Sequence, residues 1–321
     1  MPRTLTSAIV VMMSARLIIN ADDFGLTRGI NRAILELHQA GAVTSATLMA
    51  NGPAFDDAVS IALANPKLGV GCHIVLTDGT PLSHPQRIPT LLGADGKNFR
   101  PSLIDFFTAV FLGKVSEDEV AIEALAQIQH LQRAGIDITH IDTHKHIHIL
   151  PRIARPLLYA CERTGVGAIR NPFEESWSLA LGHSDPMRRL QVRLVHQLRK
   201  RFEALPQIRD HRILTTNGTI GISATGRLDR PMLDRLLTAM PNGLWELVCH
   251  PGYNDRDLDA VTTRLRVTRE IERSALLGAL SADSLHPNSP ELIHYGSLGT
   301  GGVLRKLGQY RSNTGHETLV S

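Results

Sequence analysis

Two adjacent carboxylates, Asp22 and Asp23, follow a mostly apolar run at residues 17–21 and precede Phe24 and Gly25. The branched residues of the run predict a short buried strand with the acids at its C-terminal end. In parallel α/β proteins, ligands bind at this edge of the sheet. Neighbouring buried acids repel each other unless a cation lies beside them, so the pair predicts a bound positive group. An isolated Asp–Asp pair is more often a solvated turn or a helix cap, and the prediction therefore needs further donors.

Histidines lie at or near the ends of three other predicted strands: His73, then His144, His146 and His148, and finally His250. Imidazole and carboxylate donors suit a divalent metal that keeps one position open for water. A lone histidine on a strand is more often a core residue with a satisfied hydrogen bond. The H-x-H-x-H run is more informative, because alternate strand residues face the same way. One of its histidines could be a ligand, while the other two support that ligand or contact substrate.

Strands and helices alternate along the chain. Strands are predicted at 17–21, 45–50, 68–76, 138–142, 166–170, 244–249 and 291–295, with helices between most of them. The helices have clear termini, such as Thr27 before the first helix, and Ser116 before and Gly135 after the one predicted at 117–134. A further helix is predicted at 151–164. This order predicts an α/β fold, a distorted TIM-like (β/α) barrel of parallel strands. A helical insertion at about 174–212 interrupts the rhythm within a single domain, residues 16–297.

Composition narrows the function classes. The 321 residues are 43% hydrophobic, enough for a large core, and the net charge of +3 with 4% aromatic residues argues against nucleic-acid binding. Three cysteines without C-x-x-C spacing indicate reduced thiols in the cytoplasm. Residues 1–15 form an N-terminal extension that only faintly resembles a signal peptide, and residues 298–321 a flexible tail. Stable membrane insertion is not expected, because apolar runs are too short to span a bilayer.

Four stretches resemble, in order, the signatures of the YdjC-like carbohydrate deacetylases, which include chitooligosaccharide deacetylase and the hopanoid-biosynthesis deacetylases. They are N-A-D-D-F-G-L-T at 20–27, G-C-H-I-V-L-T at 71–77, D-T-H-K-H-I-H at 142–148 and C-H-P-G-Y at 249–253. The likeness covers about residues 16–277. It implies a TIM-like barrel and metal-dependent N-deacetylation of an acetylamino sugar.

Residue roles follow from matching those motifs position by position. The implied metal ligands are Asp23, His73 and His144. Asp22 matches the general base that activates a metal-bound water, and His250 matches a proton donor or oxyanion contact. Arg170 matches a substrate-binding arginine, beside the substrate contacts expected of His146 and His148. Lys145 departs from the histidine or glutamine common at its position, which affects the substrate side more than the metal.

Several alternatives stay open at this stage. The chain could be a non-catalytic sugar- or metal-binding relative, or an amidohydrolase-type enzyme that uses H-x-H on a barrel strand to hydrolyse a different amide. Two imidazoles and a carboxylate suit Zn²⁺, while Mg²⁺ is also compatible with the family. The substrate could be a chitooligosaccharide, another acetylamino sugar or an N-acetylglucosaminyl hopanoid lipid. A homodimer is compatible with the sequence.

Overall fold

A computed structural model describes residues 15–181, 195, 197–281, 284 and 289–299. The strands are β1 (Arg16–Phe24), β2 (Ser45–Leu48), β3 (Gly69–Ile74), β4 (Ile138–Thr143), β5 (Gly218–Ile220), β6 (Leu244–Cys249) and β7 (Glu291–Leu292). The helices are α1 (Arg28–Gln39), α2 (Phe55–Ala64), α3 (Leu103–Phe111), α4 (Glu117–Arg133), α5 (Pro151–Thr164), α6 (Ser176–Ala180), α7 (197–203), α8 (Pro206–Arg209), α9 (Arg230–Ala239) and α10 (Val267–Leu280). Short 3₁₀ turns occupy Pro85–Arg87, His144–Ile149, Arg256–Ala260 and Tyr295–Ser297.

The strands form one parallel sheet in the order β4-β3-β2-β1-β6-β5, and β7 pairs with the start of β1. The sheet curls into a half-barrel. Single parallel bridges, Ile141 to Ile169 and Glu174 to Thr219, place the segment 168–174 between the two edge strands. The predicted fold, a distorted TIM-like α/β barrel, is confirmed.

Local signals explain why the helices begin and end where they do. The Thr27 side chain accepts a hydrogen bond from the backbone N–H of Ile30 at 3.2 Å, which caps α1. Ser116 caps α4 in the same way. Gly165 adopts φ 76° after α5, a left-handed conformation that glycine adopts at little cost. These caps fix the lengths of the helices that pack around the sheet.

The central strand β1 is buried along almost its whole length, because β2 and β6 pair with it and helices cover the sheet. Two predicted strands are much shorter than expected: only Ala168 and Ile169 of 166–170 form bridges, and β7 ends at Leu292. The predicted helical insertion at about 174–212 lies partly outside the described residues, and residues 1–14 and 300–321 lie wholly outside them. Among the described residues, no helix is long and apolar enough to cross a bilayer.

Candidate metal centre and active site

The end of β1 departs from regular strand geometry at the two carboxylates. A regular strand would point Asp22 and Asp23 to opposite faces of the sheet. The pairing of β1 with β2 shifts register between Ala21 and Phe24, and Asp23 adopts φ 65°, which is uncommon for a residue other than glycine. This irregularity accounts for both buried carboxylates reaching the same site.

The structure brings together the three side chains that the sequence predicted as metal ligands. Asp23 Oδ1 lies 3.6 Å from His73 Nε2 and 3.4 Å from His144 Nδ1, and the two imidazole nitrogens are 3.3 Å apart. One potential ligand atom from each residue lies within 4.8 Å of the others. His73 Nδ1 contacts Asp142 Oδ1 at 2.7 Å, which leaves Nε2 directed at Asp23. A carboxylate behind a ligating histidine is a common arrangement around protein-bound metals.

Two independent observations indicate that Asp23, His73 and His144 fit a divalent cation. Asp23 Oδ1 is buried and has no hydrogen-bond partner among the described residues, although two imidazoles face it. The surroundings also carry more buried carboxylates than buried guanidinium groups: Asp22, Asp23, Asp142, Glu246 and Glu272 against Arg170 and Arg269. A cation held by the three predicted ligands would reduce this excess of negative charge.

Each carboxylate of the pair has its own buried arginine. Arg170 donates to Asp22 through both terminal nitrogens, at 2.6 Å and 2.9 Å, and Arg269 Nη2 lies 2.5 Å from Asp23 Oδ2. Burial alone would raise the pKa of both carboxyls, but these guanidinium groups hold the two pKa values well below the usual range. Asp22 and Asp23 are therefore both ionised at neutral pH.

A second cluster, Asp22, His73 and Asp142, also has metal-ligand spacing. Here Arg170 already occupies the space a cation would need, because its Nη1 lies 2.5 Å from Asp142 Oδ2 and 2.9 Å from Asp22 Oδ2. The cluster that includes His144 is therefore the better candidate for a metal site. It joins Asp23 and His73 to His144, and one ion bound by all three would separate the deacetylase prediction from an amidohydrolase-type site.

Comparison with known proteins gives the family. A family model described as YdjC-like protein matches residues 16–285. The chain belongs to the YdjC-like family. A carbohydrate deacetylase of Brevibacillus brevis is 42% identical over 158 residues, covering 49% of this chain and 60% of that protein. A carbohydrate deacetylase of Clostridium beijerinckii is 33% identical over 242 residues, covering 75% of this chain and 82% of that protein.

One solved structure supports the fold of this YdjC-like chain. A proposed cellobiose-phosphate cleavage protein from Enterococcus faecalis V583 superposes with a TM-score of 0.71 at 24% sequence identity. The superposition covers 89% of this chain and 99% of that protein. At this identity the likeness extends to the fold alone.

Two residues predicted to contact substrate are inaccessible in this YdjC-like structure. The Arg170 side chain is 0% exposed, and its nitrogens are committed to Asp22, Asp142 and Glu246. His148 is also 0% exposed, and its Nδ1 lies 2.6 Å from Thr143 Oγ1. Direct substrate binding by these two residues stays a prediction: in this structure Arg170 holds three buried carboxylates, and His148 contacts Thr143.

The H-x-H-x-H run is not a strand, which corrects the argument from alternating faces. β4 ends at Thr143, and His144–Ile149 form a 3₁₀ turn in which Lys145 and His146 have φ near 60° and 53°. His144 alone of the run joins the metal cluster. Lys145 pairs with Asp78 of the loop that follows β3, and the half-buried His146 remains a candidate for contacting substrate.

His250 directly follows β6 and lies beside Asp22. Its Nε2 is 3.8 Å from Asp22 Oδ2, and its Nδ1 has no hydrogen-bond partner among the described residues. The backbone N–H of His250 donates to the buried Glu272 of α10 at 2.6 Å. This contact fixes where the chain turns after β6, so the imidazole stays beside the carboxylate pair.

Three residues of the site were missed by reasoning from sequence: Asp142, Glu246 and Arg269. Arg269 carried a usable signal, since it shares the buried face of α10 with Glu272 and Leu276 at helical spacing. An arginine on the buried face of a helix predicts a buried acidic partner. Asp142 and Glu246 lie inside strands, where nothing local distinguishes them from solvent-facing positions.

Metal-free protein is expected to lose stability as the pH rises from about 7.5 to 9. Burial alone would lower the pKa of His73, but the charge and hydrogen bond of Asp142 raise it from 6.5 to about 9. The folded state thus favours protonated His73, a stabilisation complete below pH 6.5 and lost as the pH rises through 9. A shift of this size corresponds to about 3 kcal/mol.

Melting temperatures of chelator-treated protein across this range test the expectation. Glu246, whose burial raises its pKa to about 7, titrates mainly below the chosen window. The variant His73→Gln should lose clearly less stability than the wild type between pH 7.5 and 9, with a residual loss from Cys72, Cys161 and Cys249, whose pKa values burial raises. An equally steep loss of stability in that variant would assign the effect to another group.

Proposed function

We propose that this YdjC-like protein is a metal-dependent hydrolase that removes the N-acetyl group from an acetylamino sugar. The observation that carries the proposal is the separation of two adjacent carboxylates: Asp23 faces two imidazoles, while Asp22 is held apart by Arg170. The relatives named carbohydrate deacetylases support the substrate class. Binding alone gives no reason for the second carboxylate.

Asp23, His73 and His144 would hold the cation. Two imidazoles and one carboxylate favour Zn²⁺ over Mg²⁺, which prefers oxygen ligands. When bound, the cation would polarise the acetyl carbonyl and acidify the attacking water, which a base of low pKa such as Asp22 requires. The buried aspartate behind His73 keeps that imidazole in the tautomer whose Nε2 is free to ligate.

Asp22 is the proposed general base. Its pKa is held well below the usual range, so the carboxylate is ionised at neutral pH and can accept the proton of a water. Hydrogen bonds from Asn20 at 3.0 Å and Thr47 at 3.3 Å, with the fork of Arg170, leave it little freedom to rotate. A fixed base is ready to act without reorganisation.

His250 is the proposed proton donor. As the water oxygen bonds to the acetyl carbon, the carbon–nitrogen bond breaks, and the leaving nitrogen takes a proton to depart as an amine. The imidazole lies beside Asp22 with an unpaired Nδ1, so it can carry a proton while Asp22 takes one from water. The products are acetate and the free amino sugar.

Acetate release from acetylamino sugars tests the proposed function. The panel would hold N-acetylglucosamine, chitooligosaccharides and an N-acetylglucosaminyl glycolipid, with protein as purified, chelator-treated, and reloaded with Zn²⁺ or Mg²⁺. We expect release that the chelator abolishes and a metal restores. Bound metal without release from any member of the panel would contradict the proposal and favour a non-catalytic binding protein.

A further inference from the structure

Residues 289–299 close the end of the barrel opposite the carboxylate pair. β7 pairs with Arg16 and Leu17 at the start of β1. Beneath it, a separate buried apolar cluster forms from Ile18, Ala168, Tyr295 and Leu298. The YdjC-like match ends at residue 285, so this segment lies beyond it.

Tyr295 extends from this segment into the polar interior of the barrel. Its side chain is 1% exposed, and its ring stacks on His140 with centroids 3.7 Å apart and planes at 10°. Its hydroxyl donates a hydrogen bond to Glu246 Oε2. The other carboxylate oxygen of Glu246 accepts from Arg170 Nε at 2.8 Å.

Two chains of contacts therefore run from Tyr295 to the proposed base. One passes through Glu246 to Arg170, and the terminal nitrogens of Arg170 donate hydrogen bonds to Asp22. The other passes through the stacked His140, whose Nε2 lies 3.2 Å from Asn20 Oδ1, and Asn20 in turn donates to Asp22 at 3.0 Å. Both chains end on the same carboxylate.

We propose that Tyr295 is a positioning residue for Asp22 and acts through Glu246 and Arg170. A guanidinium group is planar, so fixing its Nε edge on one carboxylate also fixes the direction of its terminal fork. Tyr295 holds the carboxylate that fixes this edge. Its effect on turnover rests on the proposed function, whereas its effect on the position of Asp22 does not.

The Tyr295 hydroxyl affects the charge state of Glu246. Burial raises the pKa of Glu246 to about 7, while Arg170 and the Tyr295 hydrogen bond lower it, and Asp22 and Asp142 raise it. Without the hydroxyl, the neutral acid becomes more favourable at neutral pH. Arg170 then loses an anionic partner and redistributes its contacts among the remaining carboxylates.

The variant Tyr295→Phe removes the hydroxyl and keeps the ring on His140. We expect kcat for acetate release to fall about tenfold, a loss of about 1.4 kcal/mol of transition-state stabilisation, with KM and metal content close to wild type because Tyr295 touches neither substrate nor ligand. The matched control is Tyr159→Phe, which removes a hydroxyl from a half-exposed tyrosine on α5. An unchanged kcat in Tyr295→Phe would overturn the proposal.

A double variant tests whether the effect passes through Glu246. Glu246→Gln should lower kcat to a similar degree, and adding Tyr295→Phe to it should cause little further loss. Independent, multiplying losses would overturn the route through Glu246. A parallel rise in KM would assign Tyr295 to substrate binding instead.

Crystal structures of wild type and Tyr295→Phe separate the two proposals. We expect the contacts between Arg170 and Asp22 to differ between them, whether or not the wild type releases acetate. Unchanged contacts would overturn the positioning role. A wild type that releases no acetate but shows the expected displacement would contradict the proposed function alone.

Discussion

Replacing Asp22 with asparagine is expected to lower kcat for acetate release by about a thousandfold. Asparagine keeps the size of the side chain and its contact with Thr47, but it cannot accept a proton from water. The predicted metal ligands are untouched, because Asp22 is not among the three residues of that cluster. Metal content measured by mass spectrometry should therefore stay at the wild-type level while turnover is lost.

A matched control separates loss of a base from loss of a negative charge. Asp234→Asn removes a carboxylate that is paired with Arg230 on the exposed face of α9, and should leave kcat unchanged. Wild-type turnover in Asp22→Asn would remove Asp22 from the mechanism. Loss of metal in the same variant would instead place Asp22 among the ligands.

Replacing Arg170 with methionine is expected to lower the free energy of unfolding by about 3–5 kcal/mol. The guanidinium is fully buried and contacts Asp22, Asp142 and Glu246, which would be left without their cation. Urea denaturation of the metal-free protein measures the loss. Turnover should fall as well, because Asp22 loses the group that keeps it ionised and oriented.

Two further variants show whether the loss in Arg170→Met comes from the missing charge, from the missing planar fork or from removing any arginine. Arg170→Lys restores the charge without the planar fork, so it should recover part of the stability but little of the turnover. Arg230→Met removes a half-exposed arginine from a surface pair and should change stability little. If Arg170→Met unfolds at the wild-type urea concentration, the three carboxylates do not depend on Arg170 for their charge balance.

The arrangement explains why adjacent acids are tolerated at the end of β1. Each has a guanidinium from a different part of the chain, Arg170 beside Asp22 and Arg269 beside Asp23. Asp23 presents Oδ1 to the imidazoles while Arg269 occupies Oδ2. Arg269 thus leaves Oδ1 of Asp23 available to a cation, whereas Arg170 contacts both oxygens of Asp22 and fixes the plane of that carboxylate.

Local signals in the sequence determined most elements of the fold. Helix α5 spans the predicted residues, and Thr27 and Ser116 cap their helices as expected. These features depend on neighbouring residues, so caps and apolar periodicity suffice to predict them. The H-x-H-x-H run was predicted wrongly as strand-like, because no local signal marks the left-handed conformations of Lys145 and His146.

The sequence by itself determined the kinds of donor, carboxylate and imidazole, and their places at the ends of successive strands. Only the tertiary structure decided which arginine pairs with each of the two carboxylates. Arg170 lies 148 positions from Asp22, and Arg269 lies 246 positions from Asp23. Such partners meet only when the sheet curls and α10 packs against it, and their pairing depends on burial and distance, which no local pattern encodes.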